Sequence, residues 1–256
     1  MRKAFVIALM ASGALLAQGP RGGGMGFGGP GPGMAGHAML LHGMVTGAPF
    51  SAVQVTTRQQ TLANGNAIQK QETTNVFRDS QGRVREEMTS SGPDGQGSRT
   101  TAVISDPVAK VERVLNPQNK TVLERAMPQP MPRGADGKAL TWGGVRVHQP
   151  AGDVVKEDLG TQTLNGVVAA GTRLTRTIPA GAMGNSQPIQ TVRETWVSSD
   201  LNVPVMIKTS DPRFGTTVTQ LTNVVRSEPD AALFQTPADY TVSKGHGPRM
   251  GAPLAQ

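Results

Sequence analysis

The feature that most restricts the fold of this chain is a series of turn signals between short runs rich in Thr and Val. Asn64-Gly65-Asn66 and the segment from Asp79 to Gly82 are two of them, and Asp-Pro or Asn-Pro pairs supply others. β-branched runs joined by short turns are typical of adjacent antiparallel strands, because parallel strands need long crossover connections. We therefore predict an antiparallel meander.

Apolar residues alternate only in part along these runs, as at Val53 and Val55, and Thr, Gln, Arg and Glu fill many of the other positions. Such partial alternation is typical of a sheet with one wetted face. The predicted fold class is mainly β (α+β). We expect a single curved antiparallel sheet, a half-barrel meander, with one or two short helices and disordered termini.

Helix is expected in two short segments only, because the central region lacks a sustained 3.6-residue apolar period. One candidate is residues 35–44 and the other is residues 229–234. In the second segment, Asp230 could cap a single turn that packs Leu233 and Phe234 against the sheet.

The first seventeen residues have the three parts of a secretory signal peptide. Arg2 and Lys3 form a basic start, residues 4–16 carry no charge, and the small residue Ala17 precedes the expected cleavage site. A buried N-terminal helix is the alternative. The chain has no Cys, which excludes the lipid-anchored form of this signal. We predict a periplasmic or secreted protein that is not a lipoprotein and has no transmembrane segment after signal removal.

Composition divides the remainder of the chain. Residues 18–44 form a Gly/Pro/Met-rich arm that we expect to be flexible, because it cannot bury enough apolar surface to offset its chain entropy. Residues 45–243 form the predicted β domain, which contains an irregular loop at residues 127–153. Residues 244–256 are expected to be a disordered tail.

The formal net charge of +7 raises the question of an anionic partner. The basic residues are scattered and few aromatics accompany them, so nucleic acid is not expected. In an exported protein, an anionic envelope surface is the more natural partner for such charges, and a plain solvated surface is the alternative. The basic residues concerned are Arg58, Arg83, Arg85, Arg113, Arg173, Arg176 and Arg193.

Two segments of the predicted domain are similar to parts of known envelope proteins. The run NVFRDSQGRVREE and the ending SEPDAALFQTPADYTV resemble periplasmic proteins of the LolA/RseB-like type. The ending looks closer still to uncharacterised secreted proteins of soil bacteria. The resemblance covers about residues 45–243 and implies an open β half-barrel, a curved sheet wrapped over a few helices. It also implies that the hollow of the sheet binds lipid moieties, lipoproteins or envelope-stress ligands.

The sequence contains no signature of a hydrolase nucleophile, a zinc protease or a P-loop. Glu86 and Glu87 are neighbours that a strand would point to opposite faces, so they cannot share a substrate. His148 stands in the irregular loop beside Trp142 and Arg146, which would suit a polar binding loop, but a lone loop His is more often simply solvated. We predict a protein that is not an enzyme and needs no cofactor.

One group of residues in the arm could bind a soft metal ion. Met34 and His37 are three residues apart, as are Met39 and His42, so each pair would share one face of a helix. Thioether and imidazole groups together suit Cu(I) or Ag(I). The alternative is that these residues reflect composition alone.

These observations leave three functional hypotheses. The first is an exported, non-enzymatic envelope protein that binds a lipid-like or protein ligand on a curved β-sheet. The second is a periplasmic Cu or Ag binder that uses the Met/His-rich arm. The third is an interaction partner of a membrane-bound regulator of envelope stress.

Overall fold

The computed structural model describes residues 45–91, 98–127 and 153–245 of the chain. The predicted signal peptide, the Gly/Pro/Met-rich arm with its candidate helix at 35–44, and the interior of the 127–153 loop lie outside these ranges. So does the tail beyond Gly245. None of the three described ranges contains a helix with the length and hydrophobicity that a membrane crossing requires.

The described residues form one open, curved sheet of twelve strands, which confirms the predicted fold class. Across the sheet the strands follow the order β12-β6-β5-β4-β3-β2-β1-β11-β10-β9-β8-β7. The strands are β1 (Phe50–Thr61), β2 (Ala67–Arg78), β3 (Val84–Ser91), β4 (Ser98–Asp106), β5 (Val111–Asn116), β6 (Thr121–Ala126), β7 (Asp153–Leu164), β8 (Val167–Ile178), β9 (Ile189–Ser198), β10 (Val203–Asp211), β11 (Gly215–Val225) and β12 (Thr241–Lys244).

Two consecutive meanders make up this sheet. Strands β1 to β6 each pair with the next along the chain, and so do β7 to β11. The two meanders join where β1 pairs antiparallel with β11, from Ser51 opposite Val225 to Gln59 opposite Thr216. The pairing of β1 with β11 therefore joins the two meanders into one continuous sheet.

The turn signals read from the sequence lie where the strands reverse. In the β1–β2 hairpin, the backbone N of Leu62 donates to the carbonyl of Asn66 at 2.7 Å. Between β2 and β3, the buried carboxylate of Asp79 accepts from the backbone N of Gln81 at 3.0 Å and of Arg83 at 2.8 Å. An Asp side chain that bonds its own turn in this way favours reversal of the chain.

The predicted helical turn near the C-terminus is confirmed as a single 3₁₀ turn, Ala231–Phe234. Asp230 caps it, since its Oδ1 accepts from the backbone N of Ala232 at 2.9 Å. Phe234 is 2% exposed, with the guanidinium carbon of Arg83 5.1 Å from its ring centroid. The backbone carbonyl of Leu233 accepts from Arg85 Nη1 at 2.8 Å, so the turn is anchored on β3.

Two strands were not predicted. β7 has a polar sequence and lies at one edge of the sheet, so almost all its side chains are exposed and no apolar alternation marks it. β12 pairs parallel with β6, Thr241 opposite Thr121, and so departs from the antiparallel meander. A long connection carries the chain from β11 back to the far edge of the sheet, where β12 lies beside β6.

The two apolar clusters differ in their position on the sheet. In the β2–β3–β4 register, Val76 pairs with Glu86 and Glu86 with Val103, so Val76 and Ile104 point to opposite faces. Ile104 belongs to the smaller cluster, which consists of Ala102, Ile104, Leu115 and Val122 with Tyr240 packed against it. Val76 belongs to the larger cluster, which consists of Phe50, Ala52, Val76, Val167, Ala169, Trp196, Leu201, Val203, Val205 and Leu221.

Candidate functional site

One face of β1, which we call the inner face, is buried along most of the strand although half of its residues are polar. Phe50, Ala52, Gln54 and Thr56 alternate along this face, and all four are buried. Val53, which the sequence suggested as part of an apolar alternation, lies on the other face and is only half-buried. The sequence suggested that the valines of β1 face the core and the polar residues face solvent. In the structure, the polar residues Gln54 and Thr56 lie on the more buried face.

The inner face changes in character along β1. At the start of the strand, Ala52 lies opposite Val76 in β2, and both belong to the larger apolar cluster. Two residues further along, Gln54 lies opposite Thr74, and both side chains are buried. An apolar end thus passes into a buried polar segment within a few residues.

Two polar atoms in this segment have no hydrogen-bond partner among the described residues. Gln54 Oε1 and Arg58 Nε are both fully buried and unpaired. Their neighbour Thr56 is paired, since its hydroxyl lies 3.0 Å from the hydroxyl of Thr219 in β11. A buried polar atom without a partner costs about 1–3 kcal/mol of desolvation, so such atoms are few in folded proteins.

The apolar end of the inner face contains a buried cation whose role is structural. Arg78 Nε and Nη2 donate to the carbonyl of Ala48 at 3.0 and 2.7 Å, and Nη2 also donates to the carbonyl of Leu201 at 2.5 Å. The guanidinium lies over the ring of Phe50, 4.8 Å from its centroid. Burial lowers the pKa of Arg78 to about 10. These contacts tie the β9–β10 turn to the start of β1.

Elsewhere several charged side chains form pairs that hold strands and turns. Arg113 contacts Glu124 at 2.9 Å and Asp106 at 3.4 Å, which links β4, β5 and β6. In the β10–β11 turn, the hydrogen bond from the side chain of Arg213 lowers the pKa of Asp211, despite partial burial of that carboxyl. Each of these groups has a structural partner.

The predicted site residues fall largely outside the described part of the chain. Met34, His37, Met39 and His42 all precede residue 45, so soft-metal binding stays a prediction, and His148 is also outside the described ranges. Among the described residues, no group of three or more His, Asp or Glu side chains could hold a metal ion. Glu86 pairs with Val76 and Glu87 with Asn75, which confirms that the two carboxylates point to opposite faces.

Comparisons with known proteins concern the fold. No family model matches the sequence, and no curated protein matches it. An uncharacterised conserved protein from Thermus thermophilus is a similar solved structure, with 14% identity, a TM-score of 0.40 and coverage of 77% of this chain and 91% of that one. The MucA/MucB complex from Pseudomonas aeruginosa has 15% identity and a TM-score of 0.39, and the match covers 77% of this chain and 58% of that one. A LolA superfamily protein from Nitrosomonas europaea has 10% identity and a TM-score of 0.31, with coverage of 73% and 90%.

The neighbours in these comparisons include the type of protein that the sequence resembles, LolA/RseB-like proteins. At identities of 10–15% and TM-scores of 0.31–0.40, these matches transfer no functional residue to this chain. The site must be argued from this chain's own side chains.

Sequence reasoning missed the polar residues of the inner face. Gln54 and Thr56 look like solvent-facing strand residues, since they alternate with Val53 and Val55. The available signal was Phe50, because counting by twos from this large residue puts Ala52, Gln54 and Thr56 on its face. Their burial also requires Thr219 and Leu221 from the far end of the chain, which no local pattern connects to β1.

Proposed function

We propose that this chain is an exported, non-enzymatic protein of the cell envelope that binds a lipid-like ligand on the inner face of its curved sheet. The observation that carries the proposal is the pairing of an apolar cluster with buried polar atoms that lack partners, Gln54 Oε1 and Arg58 Nε. Ligand sites in proteins combine mostly apolar walls with a few polar groups that fix orientation.

An amphipathic ligand suits this arrangement better than a purely apolar one. Gln54 Oε1 is an acceptor, so a hydroxyl or amide of the ligand could donate to it and recover part of its desolvation cost. The apolar part of the ligand would then lie toward Ala52 and Leu221, which belong to the apolar cluster. A protein segment remains the alternative occupant, and the experiment distinguishes the two.

Purification of the full-length protein from its native host, followed by organic extraction and mass spectrometry, tests the proposal. We expect a co-purified lipid in substantial amount relative to protein. Recovery of protein with neither lipid nor a peptide would contradict the proposal, and recovery of a peptide alone would assign the face to a protein ligand.

A matched pair of variants connects the ligand to the inner face. Gln54→Met keeps the side-chain volume but removes the unpaired acceptor, whereas Gln59→Met makes the same change at an exposed position on the opposite face of β1. We expect Gln54→Met to raise the free energy of unfolding by about 1 kcal/mol and to reduce bound lipid, with no change for Gln59→Met. Equal lipid in both variants would exclude Gln54 from the site.

A further inference from the structure

A row of basic side chains crosses the inner face at the end of the buried polar segment, where Arg58 lies. The strand register places Arg58 opposite Thr217, Thr217 opposite Thr209, and Thr209 opposite Arg193. Residues directly opposite each other in antiparallel strands share a face, so these four side chains project from one side of the sheet. We call this set, with the members added below, the basic row.

The row extends across both neighbouring strand pairs. On one side, Arg58 lies opposite Lys70 in β2. On the other, Arg193 lies opposite Leu174 in β8, which lies opposite Lys156 in β7. The register shifts in β1, β7 and β10 all fall elsewhere in those strands, so the shared face is unbroken from β2 to β7.

Three of these four cations have no ion pair within the described ranges. Lys70 contacts Glu72 at 2.9 Å. Arg58, Arg193 and Lys156 have no carboxylate partner there, and Arg58 Nε is also buried without a hydrogen bond. Like charges directly opposite each other, as Arg58 and Lys70 are, destabilise a sheet. The row is therefore a feature that folding alone does not favour.

The opposite face of the same strands is arranged differently. There Arg173 contacts Glu157 at 2.8 Å and Glu194 at 2.9 Å, so its charge is balanced across three strands. On the inner face, the carboxylate of Asp211 forms an ion pair with Arg213. The carboxylate of Asp158, two residues from Lys156 in β7, accepts a hydrogen bond from the backbone N of Gly160 at 2.8 Å. Unpaired positive charge is thus concentrated on one side of this half of the sheet.

We infer that the basic row holds the phosphate-bearing headgroup of an anionic lipid; the inference rests on the proposed function and names the chemical class of its ligand. Neighbouring strands lie about 4.8 Å apart, so Arg58 and Arg193, three strands apart, begin about 14 Å from each other. Two long guanidinium side chains that extend toward each other can close much of that gap around one phosphate group. The hydroxyls of Thr217 and Thr209 lie between them as further donors.

The position of the row relative to the apolar cluster fits a single lipid. Along β1, Arg58 is six residues beyond Ala52, a distance of about 20 Å at strand spacing. A lipid with its headgroup at the row could therefore extend its chains past Gln54 to Ala52 and Leu221. Charge and apolar surface lie along the strand in the order that the two ends of such a molecule require.

Binding of fluorescently labelled phosphatidylglycerol and of diacylglycerol with identical chains, which has no phosphate, to the full-length protein isolates the contribution of the headgroup. We compare the native chain with Arg58→Gln/Arg193→Gln and with a control, Lys208→Gln/Lys110→Gln, which removes the same charge from outside the row. We expect the first double variant to bind phosphatidylglycerol at least about tenfold more weakly and diacylglycerol unchanged, because charge-assisted hydrogen bonds to phosphate are lost. The control should bind both lipids as the native chain does.

The other possible results of this binding experiment distinguish failure of the headgroup inference from failure of the proposed function. Equal affinity of the native chain for both lipids would overturn the headgroup inference and leave the proposed function standing, whereas binding of neither would contradict the proposed function itself. Equal weakening in the control would assign the effect to overall charge and overturn the inference. Displacement of phosphatidylglycerol by millimolar inorganic phosphate would assign the row to free phosphate instead. Circular dichroism and urea unfolding of both double variants check that the fold is kept.

Discussion

Gly171 lies opposite Trp196 in the pairing of β8 with β9, and the indole ring occupies the space that a side chain would need. A Cβ at position 171 would lie 2.7 Å from Cζ3 of Trp196 and 2.8 Å from both Cε3 and Cη2. Contacts below 3.0 Å are essentially never seen for real Cβ atoms. Gly171→Ala therefore requires the ring to move, although Trp196 is only 5% exposed.

Two opposing effects determine how much Gly171→Ala changes the free energy of unfolding. Overpacking a buried site costs about 1–3 kcal/mol, because neighbouring side chains leave their preferred rotamers. Replacing Gly by Ala reduces the entropy of the unfolded chain and gains about 0.4–1 kcal/mol where the backbone permits it, as it does at Gly171, which has no left-handed φ. We expect Gly171→Ala to lower the free energy of unfolding by about 1–2 kcal/mol.

A double-mutant cycle with Trp196→Phe separates the clash from the backbone effect. The smaller ring lacks the atoms that the new Cβ would meet, so adding Gly171→Ala to Trp196→Phe should be neutral or slightly stabilising. Urea unfolding followed by circular dichroism measures all four proteins, and a coupling of about 1–3 kcal/mol is expected. If Gly171→Ala destabilises both backgrounds equally, the close packing of Gly171 against Trp196 is not the cause.

Two further predictions concern the C-terminal turn and the response to acid. Phe234→Ala should lower the free energy of unfolding by about 3–5 kcal/mol in urea, whereas Phe214→Ala, at a residue that also has an Arg against its ring but is 69% exposed, should change it by less than about 0.5 kcal/mol. Arg213 holds the pKa of Asp211 in the folded state below its value in the unfolded chain. The contribution of this ion pair to the free energy of unfolding is therefore complete when the pH is above the unfolded-state pKa, and it is lost as the pH falls through the folded-state pKa. Asp211→Asn should therefore lose less stability than the native chain between pH 6 and about pH 3 in urea unfolding, and an equal loss in both proteins would exclude this pair as a contributor.

Local patterns in the sequence were sufficient for the strands of the first meander and for the turns between them. Asp79, Asp106 and Asn116 each stand at a reversal that a side-chain oxygen stabilises, and such bonds involve residues two to four positions away. Asp230 is a similar case, since its capping contact lies within its own turn. Interactions between residues so close in the chain can be predicted from the local sequence.

The candidate site could not be predicted in the same way, because its members are close only after long-range pairing. The hydroxyl of Thr56 meets that of Thr219 across a separation of 163 residues, and Arg58 and Arg193 share a face only through the registers of β11 and β10. In the sequence these arginines are scattered basic residues. Edge strand β7 was missed for a different reason, since an exposed edge needs no apolar alternation.

The parallel pairing of β12 with β6 has a consequence for how the chain reaches its folded state. Ser243 donates to the carbonyl of Val122 at 3.1 Å across a separation of 121 residues, and within the described ranges the outer edge of β6 is covered by β12 alone. Both meanders consist of neighbouring strands that can form locally and early, whereas this contact closes a long loop and forms slowly. During synthesis, β6 therefore stays available to other strands until the end of the chain arrives, and we expect molecules that lack β12 to self-associate through that edge.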